Sequence, residues 1–93
     1  MTVDKEEESV MTNPVGVIEI LGPGCSRCKE TDRVVREVVE QAQVACTVNK
    51  VESVDRMVEL GVLRTPAIAV DGQLVHQGSI PKPADVRRLL GLA

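Results

Sequence analysis

Two cysteines separated by two residues, Cys25 and Cys28 in the stretch GPGCSRC, are the part of this 93-residue chain best equipped for chemistry. Thiols at that spacing serve three ends: they hold a soft metal ion, trade electrons as a dithiol/disulfide couple, or close a small structural staple. The spacing alone leaves all three open, so the elements that position the pair have to rank them.

Ahead of the pair, VGVIEIL from Val15 to Leu21 is a β-branched run closed by Gly22-Pro23-Gly24, the pattern of a strand running into a turn. Behind it, Cys28, Val34, Val35, Val38, Val39 and Ala42 recur at steps of three and four, with Arg27, Glu30, Arg33, Arg36, Glu37 and Glu40 on the other face. That period predicts an amphipathic helix of about four to five turns. Cys25 then falls at the junction of strand and helix, beside unpaired backbone N–H groups and the positive end of the helix dipole, which stabilise a thiolate. Only the thiolate attacks a disulfide, and cysteines in such positions have pKa values lowered from about 8.5 toward 7 or below. Cys28, one helical turn inward on the apolar face, would be partly shielded yet within reach of the first sulfur. Attack by Cys25 on a disulfide and displacement by Cys28 would then leave the two joined. Gly22 and Gly24 leave the backbone around Cys25 uncluttered for an incoming disulfide.

The rest of the chain supplies the frame. VACTVNKV (44–51) reads as a second strand, Ser53 as the cap of a short helix holding Val54, Met57, Val58 and Leu60, and Gly61 as its end. Thr65-Pro66 opens a third strand, AIAV, and Asp71-Gly72 predicts a tight hairpin into a fourth, QLVHQ. Pro83 suits a first helical position, followed by Val86, Leu89 and Leu90 inward, with Arg87 and Arg88 outward. The order βαβαββα is that of an α/β domain: a four-stranded mixed sheet with one parallel pair, a hairpin, and helices on both faces.

Bulk properties narrow the function. The net charge of −3 comes from the front, where Asp4, Glu6, Glu7 and Glu8 outweigh Lys5, while residues 15–93 carry ten acidic and ten basic side chains. Residues 1–14 are expected to form a disordered acidic tail and residues 15–93 one domain. Phe, Trp and Tyr are absent, so the interior must be branched aliphatic. A neutral body with no basic stripe and no aromatic platform argues against nucleic acid as a partner. No apolar run approaches the roughly 18 residues of a membrane span, and the front lacks the basic-then-apolar layout of a secretory signal. A cytoplasmic location with no membrane partner is expected, and in a reducing compartment a C-x-x-C is catalytic or metal-binding more often than a staple. A zinc site would need two further ligands, and only Cys46 and His76 are on offer, without paired spacing. Neither a metal nor another cofactor is expected.

The layout V-I-E-I-L-G-P-G-C-S-R-C-K-E, a Thr-Pro step at Thr65-Pro66, V-D-G after it and G-S-I-P ending at Pro81 resemble the thioredoxin-like superfamily. Within it the chain is most similar to the small prokaryotic redox-active disulfide proteins, over residues 15–93. The resemblance implies a thiol-disulfide oxidoreductase with Cys25 attacking and Cys28 resolving. It also implies disulfide-containing protein substrates, a thioredoxin-reductase-like electron donor and a monomer. The Thr65–Pro66 bond is implied to be cis and to face the cysteines, against the ordinary trans preference. Thr65, with Pro66 and Gly24, would offer its backbone to an extended substrate. The chain differs from the best-known members in lacking an aromatic residue before the first cysteine, Gly-Pro between the cysteines, and an extra N-terminal strand and helix. Those differences bear on potential and partner choice, and not on the class of chemistry.

Side candidates each carry two readings. Glu19, six residues before Cys25, has the offset at which many thioredoxins keep a buried acid that handles the resolving thiol's proton; the other reading turns it to solvent at a sheet edge. Arg27 and Lys29 would favour the thiolate or be merely solvated. Cys46 alternates with Val44 and Val48, as a buried inert thiol would, and His76 is expected to be exposed on an edge strand. Among rival functions, small metallochaperones resemble a βαββαβ order with Met where this chain has Pro23. Glutaredoxins share the Thr-Pro step but follow their hairpin with a Gly-Gly-x-Asp type of segment, where this chain has HQGSIPKP. A non-enzymatic adaptor with an incidental disulfide completes the alternatives.

Overall fold

The computed structural model describes residues 16–92; the expected acidic tail, residues 1–14, lies outside the described residues. The elements are β1 (Val17–Leu21), α1 (Ser26–Ala42), β2 (Thr47–Val51), α2 (Val54–Leu60), β3 (Ala67–Val70), β4 (Gln73–Gln77) and α3 (Pro83–Leu89), in the βαβαββα order that periodicity predicts. The second strand is shorter than expected at its start. Gln43 takes a left-handed conformation with φ 57°, and the Val44 N–H turns back to the Val39 carbonyl at 3.1 Å. Val44 is thereby spent on closing α1 and is not free to pair with β1.

The sheet order is β2-β1-β3-β4, with β1 parallel to β2 and antiparallel to β3, and β3 antiparallel to β4. β1 is therefore an interior strand. Alternating side chains divide two aliphatic layers between the faces of the sheet. Ile18, Ile20 and Ile68 pack with Val34, Val35 and Val38 of α1 and with Val86 and Leu90 at α3. Leu21, Ala67 and Ala69 pack on the other face with Met57, Leu60 and Val62 at α2. Helices thus cover both faces, and each fully buried branched side chain contributes about 1.5–3 kcal/mol.

Local chemistry fixes the joints. Ser53 Oγ accepts from the Arg56 N–H at 3.2 Å as the cap of α2, which Gly61 ends. Asp71 and Gly72 have φ of 50° and 82°, the left-handed pair of a type I′ hairpin turn. The Asp71 carboxylate also accepts the backbone N–H groups of Gly16 at 3.0 Å and Val17 at 2.8 Å, clasping the start of β1. Among the described residues no helix is long and apolar enough to cross a membrane.

Candidate active site

Strand directions bring four segments to one end of the sheet. β1 and its parallel neighbour β2 leave there, into Gly22 and Glu52; β3 enters there from Pro66, and β4 leaves into Gly78. Two backbone bonds tie this end together: Gly22 N–H to the Val51 carbonyl at 3.0 Å, and Gly78 N–H to the Pro66 carbonyl at 2.9 Å.

Cys25 is the N-cap residue of α1, in extended conformation, and its carbonyl accepts the Lys29 N–H at 2.9 Å. Its side chain is exposed, that of Cys28 is buried, both are reduced, and the two sulfurs lie 3.4 Å apart. The environments push the two thiols in opposite directions. Cys25 lies below an ordinary thiol, chiefly because the backbone N–H of Cys28 is directed at its sulfur and next because the Cys28 thiol donates to it. Cys28 is pushed up, first by burial and then by that same donated hydrogen bond. The exposed sulfur ionises first, while the buried one keeps its proton and shares it.

Gly22 is buried, and a Cβ there would overlap the Cys28 sulfur while lying 3.4 Å from Cys28 Cβ and 3.5 Å from Thr65 Cβ. The Cys28 sulfur rests on the bare Cα of Gly22, with Thr65 closing the other side. The sequence suggests a clear approach for substrate at Gly22; the structure gives this glycine a task for the internal thiol. Gly24 has φ 87°, and a Cβ on it would come within 2.8 Å of Glu52 Oε2, so Glu52 lies directly against the turn that carries Cys25. The Thr65–Pro66 bond is cis, with Pro66 buried and Thr65 half-buried.

Glu19 meets neither expectation in simple form. β1 is interior, so there is no sheet edge, and the Glu19 side chain is 12% exposed on the α2 face. It accepts two hydrogen bonds from Arg56, Nε to Oε2 at 2.9 Å and Nη2 to Oε1 at 2.8 Å. Arg56 also pairs with Glu59 at 3.0 Å, and these partners hold its guanidinium still more firmly protonated. Arg56 was not legible as a site residue, because only the placement of α2 reveals its partner. Arg27 reaches across to the Gly78 carbonyl, Nη2 to O at 3.3 Å, beside Pro66; Lys29 is exposed. Cys46 is half-buried at the far end of β2 against the α1/α3 core, its thiol pushed up by burial and then by Asp71. His76, on the edge strand β4, is half-buried and held by Ser79, its Nε2 2.9 Å from the Ser79 carbonyl. Among the described residues no three His, Cys, Asp or Glu side chains gather closely enough to hold a metal ion.

A family model described as a thioredoxin domain matches residues 17–91. A thioredoxin of Methanothermobacter thermautotrophicus is 29% identical over 73 residues, covering 78% of this chain and 95% of the relative. A thioredoxin of Methanocaldococcus jannaschii is 32% identical over 80 residues, covering 86% and 92%.

Proposed function

The chain belongs to the thioredoxin-domain family, and from that premise we propose that it is a thiol-disulfide oxidoreductase working by dithiol exchange through Cys25 and Cys28. The observation that carries this reading is an exposed, acid-shifted thiol at a helix N-cap, 3.4 Å from a buried thiol that is pushed the other way. The Cys25 thiolate attacks one sulfur of a substrate disulfide; that bond breaks and the departing sulfur takes up a proton. Once Cys25 is bound in the mixed disulfide it no longer accepts from Cys28, which loses its proton and attacks the Cys25 sulfur. The Cys25–Cys28 disulfide forms, the second substrate thiol leaves, and two electrons have passed to the substrate. Closing the 3.4 Å gap to a bond of about 2.05 Å takes a displacement of roughly 1.4 Å, within reach of side-chain rotation.

In this reading the rim formed by Gly24, Thr65 and Pro66 receives the substrate, while Arg27 at the Gly78 carbonyl and the Arg56-held Glu19 on β1 act as fixed charges. Substrates are disulfide-containing proteins of a reducing compartment such as the cytoplasm. A thioredoxin-reductase-like donor resets the pair, and the protein acts as a monomer.

Insulin reduction with dithiol present, combined with thiol counting and the reduction potential, tests the reading. Wild type reduces insulin, Cys25→Ser does not, and Cys28→Ser accumulates a mixed disulfide that dithiol releases. A pair that stays reduced under every oxidant and instead binds zinc or copper(I) tightly overturns it. Turnover of glutathione mixed disulfides with little insulin reduction would move the chemistry to a glutathione-dependent enzyme. Full biological activity of Cys25→Ser would make the chain an adaptor.

A further inference from the structure

The substrate end of the sheet carries opposite charges on its two sides. In sheet order it runs from Glu52 after β2, through Cys25 after β1 and Pro66 before β3, to Gly78 after β4. Three strand spacings of about 4.8 Å separate the first from the last, roughly 14 Å. At the β2 side the Glu52 carboxylate lies against Gly24. At the β4 side two arginines from different elements converge on one residue. Arg27 Nη2 donates to the Gly78 carbonyl at 3.3 Å, and a Cβ on Gly78 would lie 3.3 Å from Arg64 Cδ and 3.6 Å from Arg64 Nη1. The loop carrying Arg64 is pinned, since the N–H groups of Leu63 and Arg64 both donate to Gln77 Oε1, at 2.8 and 3.1 Å.

These two guanidinium groups differ from others in the molecule. Arg33 is paired with Glu30 and Glu37, Arg36 with Asp32, Arg56 with Glu19 and Glu59, and Arg88 with Asp85. Among the described residues neither Arg27 nor Arg64 has a carboxylate partner, and the first turn of α1 carries no acid. Two like charges brought to one residue repel each other, and a carboxylate placed between them removes that repulsion. The bond to Gly78 uses one of the five guanidinium N–H donors of Arg27, which leaves the rest for a ligand.

We propose that Arg27 and Arg64 set substrate specificity: the oxidised partner is a protein segment that places an Asp or Glu beside its disulfide, over Gly78. Glu52 repels that carboxylate from the opposite side and so fixes the direction in which the segment lies across Cys25. This rests on the dithiol-exchange reading above and names the class of substrate for it.

The test uses three disulfide-linked peptides that are identical except for Glu, Gln or Lys beside one cysteine, reduced by the full chain and followed by chromatography. At low ionic strength the rates fall in the order Glu, Gln, Lys, with about a five- to tenfold ratio between the extremes, as for rim charges that steer association. At about 1 M salt, where the Debye length is about 3 Å, the ratio collapses toward one. Arg27→Gln and Arg64→Gln each lower the ratio, and Arg88→Gln, whose guanidinium pairs with Asp85 on α3, leaves it as in wild type. Equal rates on the Glu and Lys peptides at low salt, or a ratio that survives both the Arg27 and Arg64 changes, would overturn the specificity. Failure to reduce any of the three peptides would instead overturn dithiol exchange, and the specificity with it.

Discussion

Replacing Gly22 with alanine tests whether the Cys28 thiol is seated against its bare Cα. The new methyl group would occupy the space of the Cys28 sulfur, and carbon and sulfur atoms repel well inside about 3.5 Å, so sulfur or strand must yield by roughly an ångström. Overpacking of this kind costs about 1–3 kcal/mol. For a domain of this size that lowers Tm by roughly 5 to 20 °C. The sulfur that moves is the one 3.4 Å from Cys25, so the thiol-to-thiolate hydrogen bond is lost and Cys25 titrates closer to an ordinary thiol. Far-UV circular dichroism reports the melting, since the chain has no Trp or Tyr to follow by fluorescence. The pH dependence of Cys25 alkylation reports the thiol. The decisive comparison is made in a Cys28→Ala background. There the nearest atoms to the new methyl are Cys28 Cβ at 3.4 Å and Thr65 Cβ at 3.5 Å, ordinary contacts, and most of the destabilisation should vanish. A coupling of about 1 kcal/mol or more between the two changes is expected. If Gly22→Ala melts with wild type, or loses as much stability without the sulfur as with it, the seat is not where we place it.

Two further outcomes follow from the same geometry. Cys28→Ala removes the thiol donor but keeps the backbone N–H, so the Cys25 alkylation midpoint should rise yet stay below that of an ordinary thiol. Linkage adds a signature in the reduced protein. Cys25, depressed in the fold, adds stability as pH rises from its folded pKa to the unfolded value of about 8.5. Cys28, raised in the fold, removes stability as pH rises above that value. Denaturant unfolding should therefore show stability passing through a maximum near the ordinary thiol pKa, and Cys28→Ala should lessen the fall on the alkaline side, leaving the part that the raised Cys46 thiol contributes. Arg56→Gln strips Glu19 of both its donors and should lower Tm at pH 7. The deficit should shrink in the double variant with Glu19→Gln; an equal deficit with and without the Glu19 carboxylate would refute the pairing.

Element order was legible because period and punctuation agreed: Val34, Val35 and Val38 recur at helical steps, and Asp71-Gly72 marks a hairpin that the structure forms with both residues left-handed. The cysteine positions were legible for the same reason, since a strand closed by Gly22-Pro23-Gly24 and followed by a helical period places Cys25 at the cap. What the sequence could not supply was lateral order. Glu52 flanks the cysteine pair because β2 lies parallel beside β1, and Gly78 and Arg64 do so because β3 lies on the other side of β1 with β4 beyond it. Glu19 finds Arg56 only because α2 covers that face of the sheet. Gly22 illustrates a different limit: a glycine in a turn reads as freedom of the main chain, and its use as a seat for sulfur depends on the rotamer of Cys28.

The clasp of Asp71 on the first backbone groups of β1 also decides how the protein can be held from outside. It anchors Gly16 at the end of the sheet opposite Cys25, five strand residues away along β1, a distance of about 17 Å. Whatever is joined ahead of Gly16, whether a resin, an electrode linker or a fused domain, attaches at the pole remote from the cysteines. A link made directly at Gly16, in place of the residues ahead of it, would present the cysteine pole outward to solution.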